Sequence, residues 1–426
     1  ARRLLQRRAC AAVCAMCERG GGGAARAALL AMAQSRAALK LCEGIITAAR
    51  NFSSSRSTAQ DACKALCAIV RVAVDSSPPH PSAWASDTRA AMAAPLPTPT
   101  PIAAMAIEAG AVAALVDVLA RCGARKEWRQ VAHYAIRALG AVARSGGSEE
   151  LMLSGAVEAV VQAVDDVCAS AGVEEAGGAR AGSASTKSMR GREKVKGKGK
   201  SAAARSEKSR RADLNVSVSL RASACEVIFC VARTSRASAQ RVELLGAVHA
   251  VADAMLCDVA GPLLSDSSGE VNGVSSGGSS GGARSWRLHG WGCKALAVFA
   301  EASTLAHQGG GSPRAGGVVR APRAAAAIVR TIRLCGENYS RRLAHDACHA
   351  ALAFAAHPSP ALAQQLSDAG ATVAAGDLVR VLDSLGIHPS MVKRGEEEEK
   401  GGDANNARAA RALLSALKKR RLAGKK

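Results

Sequence analysis

A chain of 426 residues can hold two or three ordinary domains or one long array of repeats. With 48% apolar but only 2% aromatic residues, its core must be built from Ala, Leu, Val and Cys, which favours closely spaced helices over aromatic-rich strands; no uninterrupted apolar run reaches the roughly 18 residues of a membrane span. The net charge of +22 has the size of a nucleic-acid footprint, but residues 1–8, 180–211 and 418–426 carry +4, +10 and +6 of it, leaving +2 for the rest.

The first predicted helix carries ACAAVCAMC (9–17). Its Cys10, Cys14 and Cys17 stand in the C-x3-C-x2-C spacing that holds an iron–sulfur cluster in radical S-adenosylmethionine enzymes. The same stretch aligns with ACKALCAIV (62–70), AIRALGAVA (135–143), ACEVIFCVA (224–232), GCKALAVFA (292–300) and ACHAALAFA (347–355). Cys10, Cys63, Ile136, Cys225, Cys293 and Cys348 therefore share one column. A cysteine that returns once per repeat reads as a packing residue. Repeated burial of free thiols predicts an intracellular setting, cytoplasm or nucleus.

A second marker, a glycine, opens amphipathic runs such as AVAALVDVLARC. It stands at Gly44-Ile-Ile, Gly110-Ala-Val, Gly155-Ala-Val, Gly246-Ala-Val and Gly370-Ala-Thr. Gly110 and Gly155 are 45 residues apart. With the Pro-rich 76–101, the Lys/Gly-rich 171–213 and the Ser/Gly-rich 261–284 set aside as inserts, Gly44–Gly110, Gly155–Gly246 and Cys225–Cys293 reduce to 40, 48 and 44 residues. A further insert covers 309–321. Such segments build no core and are expected to be disordered. A second cysteine group, Cys122, Cys168, Cys257 and Cys335, recurs near the ends of the helices that precede the cysteine column. Residues 388–426 read as a charged tail with a short basic helix, striped by Leu413, Leu414 and Leu417.

The succession G-A-V-x-A-L-V-x-x-L, then A-C-x-A-L-x-N-L-A, resembles the armadillo repeat family over about residues 1–387. The resemblance implies an all-α fold: a right-handed α-solenoid of about six armadillo/HEAT-like repeats with disordered inserts. Each unit would have three helices, the third lining a concave groove, and would bury its apolar face only against its neighbours. In relatives that clamp extended peptides, the motif's Asn holds the ligand backbone, because an amide both donates and accepts. Here that column reads Ala15, Ala68, Ala141, Cys230, Val298 and Ala353. Four residues earlier, where import receptors place Trp, stand Ala11, Lys64, Arg137, Glu226, Lys294 and His349. These departures argue against an import-receptor role.

Seven residues beyond that second column, on the same helix face, come Arg71, Arg144 and Arg233. The pairs Lys64/Arg71, Arg137/Arg144 and Glu226/Arg233, followed by Lys294 and His349, read as a basic strip for an acidic peptide. They read equally as solvated helix faces whose C-terminal Arg complements the dipole.

HDACH (345–349) imitates the H-E-x-x-H zinc signature, but Asp346 replaces the general-base Glu and no third ligand is evident. The Gly runs 20–23 and 309–311 lack the phosphate-loop pattern, and no catalytic constellation is found. The expectation is a non-catalytic protein-interaction scaffold without metal or cofactor. The alternative is non-specific nucleic-acid association through Lys194, Lys196, Lys198 and Lys200 of the insert and Lys418, Lys419, Arg420 and Arg421 of the tail, where KKRR also fits a nuclear-localisation signal.

Overall fold

Alanine-rich segments with straight-chain neighbours lose little side-chain entropy as helix, and every regular element among the described residues is helical. The computed structural model describes residues 2–19, 31, 36–51, 55–76, 99–123, 125–183, 199–257, 280–308, 317–337, 340–385 and 398–423. The chain begins with helices α1 (Arg2–Arg19), α2 (Arg36–Asn51) and α3 (Arg56–Ser76). Next come α4 (Pro101–Glu108), α5 (Ala111–Cys122) and, after a 3-10 turn at Lys126–Trp128, α6 (Arg129–Arg144). Helices α7 (Ser148–Leu153), α8 (Ala156–Ser183) and α9 (Gly199–Ala232) follow, then α10 (Arg236–Leu244), α11 (Ala247–Leu256) and α12 (Ser280–Gln308). A 3-10 turn at Gly317–Arg320 leads to α13 (Pro322–Glu337) and α14 (Arg341–Ala356). The last described helices are α15 (Pro360–Asp368), α16 (Ala371–Ser384) and α17 (Glu398–Ala423).

Packing follows two series. Helices α1, α3, α6, α9, α12, α14 and α17 each pack on the next, and so do α2, α5, α8, α11, α13 and α16. The series also pack on each other, through α2 with α3, α5 with α6, α8 with α9, α13 with α14 and α16 with α17. One continuous apolar core results, running from Cys10 to Leu417.

Local chemistry sets the joints. The chain passes from α4 to α5, α7 to α8, α10 to α11 and α15 to α16 through Gly110, Gly155, Gly246 and Gly370, at φ of 80°, 72°, 83° and 87°. This left-handed region is open to glycine and strained for other residues. Thr100 and Ser235 cap α4 and α10, their hydroxyl oxygens accepting from the Ala103 and Ser238 N–H groups. Pro101 and Pro360 occupy first-turn positions where no amide donor is needed.

Several expectations need correction. Gly44 does not open a helix; it lies inside α2, whose buried Cys42, Ile45, Ile46 and Ala49 continue one stripe through it. The insert 171–213 is helical at both ends, since α8 runs to Ser183 and α9 starts at Gly199. Helix α12 likewise begins at Ser280, inside 261–284. The expected disorder at 77–98, 184–198, 258–279 and 309–316 falls outside the described residues. The tail helix is not short: α17 spans 26 residues and packs against α14 and α16, with Leu413 and Leu417 buried. One segment, Ala212–Ala232 of α9, is long and apolar enough to cross a membrane by length and composition. It is 72% buried among the other helices, as a helix apolar on all sides requires.

Candidate partner-binding site

The expected groove residues lie on the first packing series, and the structure brings most of them together in pairs across neighbouring helices. Lys64 of α3 places its Nζ 4.7 Å from the ring centroid of Tyr134 on α6. The Arg137 guanidinium lies 5.9 Å from the same ring. Tyr134 is thus flanked by two cations, an arrangement favoured by the ring quadrupole. Arg71, half-buried on α3, joins Arg137 and Arg144 in a field felt by the Cys67 thiol. Among the described residues, no carboxylate pairs with Lys64, Arg71 or Arg137.

Farther along the series the charges neutralise one another, which corrects the picture of an unbroken basic strip. Glu226 of α9 is only 5% exposed and is held by Arg144 of α6 at 3.0 Å and Arg287 of α12 at 3.5 Å. Lys294 of α12 pairs with Asp346 of α14 at 3.5 Å and lies 4.8 Å from the Trp291 centroid. Burial lowers its pKa against the opposing pull of Asp346. His349 meets Glu301 at 3.6 Å. Arg233 sits 5.4 Å from the ring of Phe229, which in turn packs against Trp291 at 5.5 Å. Glu226, Lys294 and His349 therefore serve inter-helix joints, because a carboxylate desolvated between packed helices is stable only with cations beside it.

Between α6 and α9 lies a cavity of about 210 Å³. Gln130, Tyr134 and Arg137 of α6 and Ser219 and Ser223 of α9 line it, with Arg287 of α12. The Arg137 guanidinium, a phenol ring, an amide and two hydroxyls suit an anionic group, since arginine presents a planar fork to a carboxylate, while Arg287 already faces Glu226 at 3.5 Å. Sequence reasoning found Arg137 but missed Tyr134, Trp291, Arg287 and the serines. A signal was present: Tyr134 and Trp291 each stand three residues before a cation of the charged column, one helical turn away on the same face.

The remaining expected positions separate. Lys194, Lys196 and Lys198 lie outside the described residues, and Lys200 is at the start of α9. Lys418 and Lys419 are exposed on α17. Arg420 is half-buried and donates to the His357 carbonyl at 2.9 Å; Arg421 follows it in the same helix. Cys10 and Cys14 are buried on α1, where the Cys14 thiol donates to the Asp61 carbonyl at 3.8 Å; the Cys17 side chain lies outside the described ones. In HDACH the two imidazoles stack with centroids 6.2 Å apart, and no group of three metal-ligating side chains occurs among the described residues. Comparison with known proteins finds no family model that matches this chain and no curated protein similar to it.

Proposed function

We propose that the chain is a non-catalytic protein-interaction scaffold, an armadillo-type right-handed α-solenoid that binds an acidic segment of a partner along the first packing series. The observation that carries this reading is the cavity between α6 and α9, with Tyr134, Arg137 and Arg287 on its walls and Lys64 beside it. Succession of helices in two stacked series supports the solenoid, since each helix finds its apolar partner in the neighbouring unit. Eleven buried free thiols fit an intracellular setting.

A second reading, non-specific nucleic-acid association, draws on the exposed Lys418 and Lys419. Both readings are tested in one titration series, with a fluorescent oligo-glutamate peptide and a duplex DNA as ligands over a range of salt. Reversing Lys64 and Arg137 to Glu is expected to weaken peptide binding about tenfold or more, each reversal costing roughly 1 kcal/mol at a half-exposed site. Lys418→Glu with Lys419→Glu should leave the peptide unaffected. Should the tail pair rather than the Lys64/Arg137 pair govern peptide binding, the groove reading fails. DNA held by about six phosphates would show a log–log salt slope near −5, sensitive to the tail pair.

A further inference from the structure

The cavity between α6 and α9 is lined by donors that the protein itself leaves unused. Gln130, Tyr134 and Arg137 stand at i, i+4 and i+7 on one face of α6, and Ser219 and Ser223 stand one turn apart on α9. Three of the α9 residues at the cavity, Ser219, Ala222 and Ser223, are small, which leaves the space open. Among the described residues, the side chains of Gln130, Ser219 and Ser223 make no hydrogen bond within the chain, although Ser223 is only 5% exposed. Ser217, on the same helix, shows the contrast: its hydroxyl donates to the Asp213 carbonyl at 3.0 Å. A hydroxyl as desolvated as that of Ser223 nearly always has a partner, in the protein or in what fills the space beside it.

The charge at this place is positive. No carboxylate is among the residues that line the cavity. Arg137 lies 5.9 Å and Lys64 4.7 Å from the centre of the Tyr134 ring, and both face it without a carboxylate partner among the described residues. An anion with one charge and two oxygens, such as a glutamate side chain, accepts about four hydrogen bonds. An amide, a phenol, two serine hydroxyls and a guanidinium fork supply more hydrogens than that. A phosphomonoester offers three oxygens and a charge near −2, and so matches both the donors and the paired cations. The volume agrees: about 210 Å³ is roughly seven water volumes of ~30 Å³, room for a phosphoryl group and the short side chain that carries it.

We propose that this cavity is a phosphoserine site, so that the partner's acidic segment binds when a serine within it is phosphorylated. The inference rests on the reading of α3, α6 and α9 as the partner-binding face. Arg137 holds the phosphoryl group from α6, and the Ser219 and Ser223 hydroxyls, with the Gln130 amide, donate to its remaining oxygens. A short carrier such as serine keeps the partner's backbone close to the helices, where its neighbouring side chains reach the next cation. Adjacent packed helices lie about 8–10 Å apart, a distance spanned by about three residues of extended chain at ~3.3 Å each. A glutamate three positions from the phosphoserine therefore meets Lys64 of α3.

The test measures fluorescence anisotropy of the full chain with three acidic peptides that differ only at a central residue: phosphoserine, glutamate or serine. The phosphoserine peptide should bind about tenfold or more tighter than the glutamate peptide, the difference that additional charge-assisted hydrogen bonds supply. Ser219→Ala with Ser223→Ala should remove most of that preference while leaving the affinity for the glutamate peptide nearly unchanged. If this double variant loses its helical circular dichroism, Gln130→Ala, at a half-exposed position, takes its place with the same expected result. Equal binding of the phosphoserine and glutamate peptides, both weakened by reversing Lys64 and Arg137, would overturn the phosphoserine site and leave the groove reading standing. A phosphoserine preference that survives the alanine substitutions would place the site elsewhere and overturn it too. So would duplex DNA that displaces the phosphopeptide with the same sensitivity to them, since its diester phosphates carry one charge each. Failure of all three peptides to bind would overturn the groove reading along with it.

Discussion

His357 is fully buried, and its hydrogen bonds fix its tautomer. The Ser359 N–H donates to Nδ1 at 3.0 Å, so the ring proton sits on Nε2 and is directed to the Ser303 hydroxyl at 3.0 Å. Protonating Nδ1 would set two donors against each other. Burial, with His307 and Arg420 nearby, lowers the pKa to about 4. The unfolded chain binds this proton near pH 6.5 and the folded one only near 4, so stability should fall as pH drops through that window. The slope should reach about 1.4 kcal/mol per unit, and His357→Gln should flatten it in urea titrations at several pH values. Glu226 carries the opposite lesson about charge. Glu226→Gln keeps the shape but leaves Arg144 and Arg287 facing a neutral group, and should cost about 1–3 kcal/mol in the same assay. The charged column could be read as a column because its members recur at one repeat position. Pairing across helices was not legible, because it depends on which turn of α6 or α12 faces Glu226.

At the scale of elements, glycine separates what one letter joins. Gly246 has φ of 83° and no atom within 4 Å of an added Cβ, so Gly246→Ala should cost about 1 kcal/mol through backbone strain alone. Gly44 lies mid-helix with equally open space, and Gly44→Ala should stabilise by roughly 0.5–1 kcal/mol. Thermal melts of the two variants should move in opposite directions. The distinction was available in principle, since the apolar stripe Cys42, Ile45, Ile46 and Ala49 runs unbroken through Gly44. The helical ends of the 171–213 insert were hidden for another reason. Composition marks that segment as unable to build a core, but stretches such as SAAARSEKSRRAD at the start of α9 have the alanine and arginine content that sustains a helix without one.

For the whole molecule, α17 matters most. The basic tail was legible as charge and as a Leu413/Leu414/Leu417 stripe, but not as part of the continuous core, because Glu and Gly residues separate it from α16. Removing 398–423 would expose the α14 and α16 surfaces that cover Leu413 and Leu417. The loss should be roughly 3–6 kcal/mol, at about 1.5–3 kcal/mol per buried leucine, and would appear as a lowered thermal midpoint. Lys418→Glu with Lys419→Glu, both exposed, should leave that midpoint nearly unchanged. The proposed solenoid would present a binding face centred on α3, α6 and α9, where Tyr134 and Arg137 line the cavity and Lys64 lies over the Tyr134 ring, because Arg144, Arg287, Lys294 and His349 are paired with carboxylates. Hydroxyl-radical footprinting of the full chain, with and without a saturating oligo-glutamate peptide, reads this face directly. Oxidation of Tyr134 should fall several-fold on binding, while Leu244 on α10, 84% exposed, should react unchanged. Unaltered oxidation of Tyr134 in the presence of bound peptide would contradict a groove on this face.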